Sequence, residues 1–115
     1  MIDWAQVRQL EEDIGRDELS GVVTLFLAEA EEAMAELKSL PPDAGARMAA
    51  TLHFLKGSAF SMGFVAFAET CARGETKAEK GQVFEVPVGD VVRLYQDSKA
   101  LFLQGFPAGF ADGNQ

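Results

Sequence analysis

The sequence contains few of the residues from which metal and redox sites are usually built. Its 115 residues include one cysteine, Cys71, and one histidine, His53. A lone cysteine cannot form a disulfide within the chain, and it excludes zinc sites and iron–sulfur clusters that need several thiolates. Cys71 falls beside Phe67 on the apolar face of a predicted helix, so we interpret it as a buried structural thiol.

Basic residues and long apolar runs are also scarce. Ten Lys and Arg residues are scattered among eighteen Asp and Glu residues, and the formal net charge is -8. Nucleic acids and anionic membranes are bound through clustered positive charge, so we expect neither as a partner. The longest nearly apolar stretch, residues 59–68, is about half of a membrane span, and the first residues do not resemble a signal peptide. These absences predict a cytoplasmic protein.

The chain does contain enough apolar material for one core. Hydrophobic residues make up 48% of it, and nine of them are Phe. This suffices for a single domain, which we assign to residues 1–106. Residues 107–115 begin with proline and include two glycines, so we expect them to form a flexible C-terminal tail.

Hydrophobic residues recur at spacings of three and four in five segments, which is the period of a helix with one buried face. These segments cover approximately residues 3–15, 17–39, 43–62, 64–81 and 88–106. No segment alternates convincingly with period two, so strands are not expected. Short connections between long helices favour antiparallel neighbours. The predicted fold is therefore all-α: an up-down antiparallel four-helix bundle with a short additional N-terminal helix.

Local signals indicate where the predicted helices begin and end. Asp3 is a suitable N-cap for the first helix and Asp43 for the third. Gly15 provides a stop, and Pro41-Pro42 ends the second helix because proline removes a backbone donor. The stripes expected to form the core on the second and third helices are Val23, Phe26, Ala30, Ala33, Leu37, Met48, Leu52, Leu55, Ala59 and Met62.

His53 lies one position away from the buried stripe of the third helix, which puts its imidazole at the edge of the core-facing strip. Gly57, one turn later, costs about 0.5–1 kcal/mol relative to alanine in a helix. A bare backbone at this point would let a large partner approach the imidazole. Ala46, Ala49 and Ala50 keep the preceding turns low. Lys56 offers a positive charge to an anion on the ring, and Phe60 leaves apolar surface for a partner. Together these residues describe an accessible nucleophile on a docking surface.

Two interpretations of His53 remain open on these grounds. Neutral imidazole near pH 7 is a good nucleophile towards phosphorus, and a phosphorylated ring nitrogen can pass the group on. A single surface histidine, however, usually has no chemical role. Spacing and neighbours support the two interpretations equally.

The run His53-Phe54-Leu55-Lys56-Gly57-Ser58-Ala59-Phe60-Ser61-Met62-Gly63 closely resembles the signature of the histidine-containing phosphotransfer (HPt) domain family. That signature has a histidine, leucine two positions later, Lys-Gly at three and four, then a small residue, and glycine at ten. Each of these features is present. The resemblance extends over roughly residues 3–106 and implies the same all-α bundle.

The resemblance implies specific roles for five residues. His53 would be phosphorylated, by family analogy on Nε2, and Lys56 would balance the phosphoryl charge. Gly57 would clear the approach of a receiver domain, and Gly63 would allow the tight turn into the fourth helix. The family often has Glu or Gln 22 positions after the histidine, where it orients the imidazole. That position is Glu75 here.

The sequence departs from the family at residue 74, which is glycine where the family usually has an apolar core residue. Glycine inside a helix is expected to loosen it. Two placements of Glu75 therefore remain open. The carboxylate lies either beside the imidazole of His53 or on the surface as an ordinary acidic side chain.

The resemblance implies a carrier that accepts a phosphoryl group from a receiver-domain aspartyl phosphate and passes it to another receiver. No Gly-rich nucleotide loop is evident, so we expect no ATP site and no autokinase activity. Expected partners are response-regulator receiver domains and a hybrid histidine kinase. No cofactor is expected on this chain, since Mg²⁺ would be bound by the receiver, and the protein is expected to be a monomer.

Two alternatives belong to other functional classes. The first is a helical adaptor that binds a receiver or histidine kinase without being phosphorylated. The second is a small bundle that binds metal or haem through His53. The metal-binding alternative has little support, because it needs a second ligand facing the imidazole and only Cys71 or a methionine is available.

Overall fold

A computed structural model of the protein describes residues 2–106, and this part of the chain is all-α, as predicted. It contains five α-helices and one short 3-10 turn. Their bounds are α1 Trp4–Ile14, α2 Arg16–Ser39, α3 Gly45–Ser61, α4 Val65–Glu79, the 3-10 turn Val83–Glu85 and α5 Val88–Gly105. None of these helices is long and apolar enough to cross a membrane. The tail predicted at 107–115 lies outside the described residues.

Most of the predicted helix boundaries are confirmed, and one is wrong. Asp3 caps α1, where its side chain accepts a hydrogen bond from the backbone N–H of Gln6 at 3.2 Å. Gly15, with φ of 87°, ends α1, and α2 follows directly. Asp43 does not cap α3: a turn closed by the hydrogen bond from Ala44 N–H to Pro41 O holds it outside the helix, which begins without a side-chain cap.

The core is formed by the predicted apolar stripes, and aromatic rings fill its centre. The stripe residues of α2 and α3 are buried, except for Ala33, which is half-buried. Phe64 is fully buried and lies 5.1 Å from Phe26, 5.5 Å from Phe102 and 6.4 Å from Tyr95 between ring centroids. On α5, Phe102 is buried, whereas its neighbour Leu101 is exposed.

The helices pack in the order of the chain, and α5 returns to α2. Contacts join α2 to α3, α3 to α4 and α4 to α5, while the contact between α5 and α2 places α5 on the side opposite α3. On that side the Tyr95 hydroxyl donates to Glu31 Oε2 at 2.8 Å, and Lys99 Nζ donates to the same oxygen at 2.7 Å. These bonds connect α5 to α2.

Gly63 is the residue that allows α3 to turn directly into α4. Its φ is 78°, a conformation that glycine adopts without strain. A Cβ at this position would lie only 2.6 Å from the backbone oxygen of Asp3. The backbone N–H of Asp3 also donates a hydrogen bond to Gly63 O at 2.8 Å. The turn is therefore packed against the start of α1, and α3 and α4 leave it as a tight helical hairpin.

Candidate functional site

His53 lies on the exposed surface of α3, and its ring is held from the neighbouring helix. The exposed fraction of its side chain is 68%, while that of Glu75 on α4 is 13%. His53 Nδ1 lies 2.9 Å from Glu75 Oε2. This is the first of the two placements that the sequence left open for Glu75. One ring nitrogen therefore faces the protein, while the rest of the ring faces solvent.

Glu75 is shared between the imidazole and a lysine. Its second oxygen, Oε1, accepts a hydrogen bond from Lys56 Nζ at 2.8 Å. The bond from Lys56, supported by the bond to His53, lowers the pKa of Glu75 despite the opposing effect of partial burial. Glu75 is therefore ionised at neutral pH and can only accept hydrogen bonds. In the neutral imidazole, the hydrogen bond to Glu75 therefore favours the tautomer with the hydrogen on Nδ1, which leaves the lone pair on Nε2.

Gly74 does not loosen α4, so this expectation from the sequence is wrong. The helix runs through it without interruption, and Gly74 is buried. A Cβ at this position would lie 3.1 Å from Leu52 Cδ1 and 3.3 Å from Val86 Cγ1. The side chains of Leu52 and Val86 thus occupy the space that an apolar residue at 74 would fill. The glycine lets α3 and α4 approach each other closely.

The residues expected to form a docking surface are exposed, with the exception of Ala49. Nothing lies within 4 Å of a Cβ built on Gly57, so no contact within residues 2–106 explains this glycine. Phe60 is 46% exposed. Ala49 is buried between α3 and α4, because its position falls on the side of α3 that faces the hairpin partner. Ala46 and Ala50, which the sequence also placed on this low surface, are exposed.

The structure adds apolar surface that the sequence reasoning missed. Phe54, directly after His53, is 43% exposed, and Leu25 and Val22 on α2 are also exposed. Phe54 and Glu29 line the same groove between α2 and α3. The sequence contained a signal for the exposure of Phe54, because this residue directly precedes Leu55 and so lies beside the buried stripe. The exposure of Leu25 could not be seen there, because it depends on which face of α2 is covered.

Other candidate groups show no sign of reactivity. Cys71 is buried, and burial together with the negative charge of Glu75 raises the pKa of its thiol to about 12, so it is protonated at neutral pH. Within residues 2–106 no group of three or more His, Cys, Asp or Glu side chains is arranged to hold a metal ion. The His53–Glu75–Lys56 cluster is therefore the candidate site.

Comparison with known protein families agrees with this geometry. Residues 21–99, more than half of the chain, match the Hpt domain. No curated protein and no solved structure matched the chain. The matched range includes all of α3 and α4 and every residue of the cluster. The chain therefore belongs to the Hpt domain family, whose members take part in histidine phosphotransfer in phosphorelays.

Proposed function

We propose that this protein is a phosphorelay intermediate that accepts a phosphoryl group on His53 from a receiver-domain aspartyl phosphate and passes it to another receiver. The single observation that carries the proposal is the bond between His53 Nδ1 and Glu75 Oε2 at 2.9 Å. Helices α2–α5, arranged as an up-down bundle, would be the rigid frame that holds this pair.

The chemical step follows from the tautomer of His53. The lone pair of Nε2 attacks the phosphorus atom, a P–N bond forms, and the P–O bond to the receiver aspartate breaks. The aspartate leaves as a carboxylate. The ring gains positive charge as it becomes phosphorylated, and the Glu75 carboxylate at Nδ1 stabilises that charge. Return of the group to a second receiver reverses these events.

Lys56 would serve the same step through its charge. Its ammonium group binds Glu75 Oε1 and lies one helical turn from His53 on α3. In this position it keeps Glu75 ionised and offers a positive charge to the phosphoryl oxygens. Because the receiver would bind the Mg²⁺, this chain has to supply only the nucleophile and its orientation.

The receiver would dock on the exposed faces of α2 and α3. The two helices run antiparallel: Arg47 on α3 pairs with Glu36 at 2.8 Å, and Phe54 shares a groove with Glu29 further along. Phe54 and Phe60 are the exposed apolar side chains of α3. On α2, Leu25 and Val22 are exposed, and they lie four and seven residues before Glu29, a spacing that puts them on the helix face of the groove. Their arrangement around an exposed imidazole and a bare Gly57 suits a partner that covers the surface while its aspartate reaches Nε2.

The proposal is tested by phosphoryl transfer from a phosphorylated receiver to the wild-type protein and to His53→Gln. We expect label on the wild type only, in a linkage that is labile in acid and stable in alkali, as a phosphohistidine is. Because the chain has one histidine, no other imidazole can replace it. Circular dichroism of His53→Gln checks that the variant is folded.

The same experiment can give the opposite result, which would support the adaptor function. If none of the receivers of the source organism transfers label, and one of them binds wild type and His53→Gln with equal affinity, the protein is a docking module without a phosphorylation site. Label that reaches both proteins equally would also contradict the proposal, because the acceptor would then be another residue.

A further inference from the structure

We infer that Gly74 is a positioning residue for the proposed phosphotransfer: by removing a side chain between α3 and α4, it sets the distance at which Glu75 meets the imidazole of His53. The inference rests on the function proposed above. It assigns a role to a residue that departs from the usual sequence pattern of the family.

The argument begins with two residue pairs that lie side by side on the helical hairpin. Leu52 on α3 packs against Gly74 on α4, and the next residue of each helix, His53 and Glu75, forms the hydrogen bond of 2.9 Å. In each pair the two residues are 22 positions apart in the chain. The buried packing contact is thus directly adjacent to the exposed functional contact.

A Cβ at position 74 would require the side chains around it to give way by a few tenths of an ångström. A Cβ would lie 3.1 Å from Leu52 Cδ1 and 3.3 Å from Val86 Cγ1, and the Leu52 side chain is fully buried. The distance between two packed helices depends on the side chains at their contact. A shift of a few tenths of an ångström would lengthen the 2.9 Å contact between His53 and Glu75 to about 3.2 Å, the upper end of the usual range for N–H···O hydrogen bonds.

A second close contact lies at the open end of the hairpin, away from the Gly63 turn. A Cβ on Gly45, the first residue of α3, would lie 3.0 Å from the backbone oxygen of Ala78 on α4. The two helices are therefore closely packed at Gly74 and at Gly45, with the His53–Glu75 pair near the first of these points. A side chain added at 74 would press on Leu52, the neighbour of His53, and we expect α3 and α4 to separate there.

The tautomer of His53 reports on this distance directly, because the chain has a single histidine whose ¹⁵N signals are unambiguous. In the wild type at a pH where the ring is neutral, we expect the hydrogen mainly on Nδ1. In Gly74→Ala the population should move towards the Nε2–H form, and transfer from a phosphorylated receiver should slow. Leu52→Val removes both Cδ methyl groups, so the double variant Leu52→Val/Gly74→Ala should regain the Nδ1–H form.

Two controls separate positioning from general loss of stability. Gly21→Ala places a methyl group on α2 where nothing lies within 4 Å, and it should leave the tautomer unchanged. Val91→Ala removes buried volume from α5 and should destabilise the fold without changing the tautomer. If Gly74→Ala does not fold, Ala and Val are compared at position 74 in the Leu52→Val background, where only Val should shift the tautomer.

The outcomes distinguish this inference from the proposed function. A folded Gly74→Ala with the wild-type tautomer would overturn the positioning role, as would an equal shift in Val91→Ala. If the tautomer responds as expected while wild-type protein accepts no label from any receiver, the positioning role stands and the phosphotransfer proposal fails.

Discussion

Glu75 combines two interactions that both require its negative charge. Lys56 and His53 each bind one of its oxygens, and its pKa in the folded protein lies below its usual range. A carboxyl group with a lowered pKa stabilises the fold above the pKa of the unfolded chain. That stabilisation disappears as the pH falls through the lower pKa of the folded state.

The first prediction at the residue scale is therefore a pH dependence. Relative to wild type, Glu75→Gln should lose free energy of unfolding at pH 7, and the difference should shrink as the pH falls below about 4.3, where the unfolded carboxyl group binds a proton. Urea unfolding at pH 7, 5, 4 and 3 measures this. Glu29→Gln is the control, because Glu29 is exposed and has no ion pair within residues 2–106. If the difference in free energy of unfolding between wild type and Glu75→Gln stays constant from pH 7 to pH 3, the charge of Glu75 does not stabilise the fold.

At the scale of the helices, glycine has three different functions in the α3–α4 hairpin. Gly57 lies in the middle of α3 and faces open space. Gly74 is in close contact with side chains that pack against α4, and Gly63 has a positive φ in the turn. Only Gly57 leaves room for a side chain in a conformation that alanine adopts readily. Its presence costs stability that no contact within the described residues recovers, which suits a role in docking a partner.

This contrast predicts opposite effects of the same substitution. Gly57→Ala should raise the free energy of unfolding by about 0.5–1 kcal/mol, because alanine is the better helix former. Gly63→Ala should lower it by more than about 1 kcal/mol, since alanine is strained at positive φ and meets the Asp3 backbone. Urea unfolding measures both. Gly57→Ala should nevertheless slow transfer from a phosphorylated receiver, and unchanged transfer in this stabilised variant would remove Gly57 from the docking surface.

At the scale of the whole molecule, the two sides of the bundle differ in what they expose. The α2–α3 side carries His53 and the apolar residues around it, while α5 on the opposite side is joined to α2 by the Tyr95–Glu31 hydrogen bond. Leu101 on α5 is 44% exposed, nearly the same as Phe60 on α3 at 46%. Exposure alone therefore does not distinguish the proposed docking surface from the opposite side of the bundle, and the proposal rests on the position of His53.

These two residues form a matched pair for a binding experiment. Phe60→Ser should weaken receiver binding about tenfold, which corresponds to an apolar contact of about 1.4 kcal/mol. Leu101→Ser removes a similarly exposed side chain from the far side and should leave the affinity unchanged. Titration of each variant with an unphosphorylated receiver gives the two dissociation constants. If Leu101→Ser weakened binding more than Phe60→Ser, the receiver would dock on the opposite side.

The sequence by itself determined the features that depend on local spacing. Apolar residues three and four apart predict each helix, and Gly15 and Pro41 mark helix ends because of their own backbone restrictions. The same period places His53 at the edge of the buried stripe. The family motif lies within the α3–α4 hairpin and needs no knowledge of the other helices.

The tertiary structure decided the features that depend on the distance between helices. Glu75 could be beside His53 or on the surface, and the close approach of α3 and α4 at Gly74 selects the first placement. Ala49, which the sequence placed on the docking surface, is buried in the folded protein. Periodicity identifies the apolar side of a helix but not the depth of its contact, because that depth depends on how side chains from two helices fill the space between them.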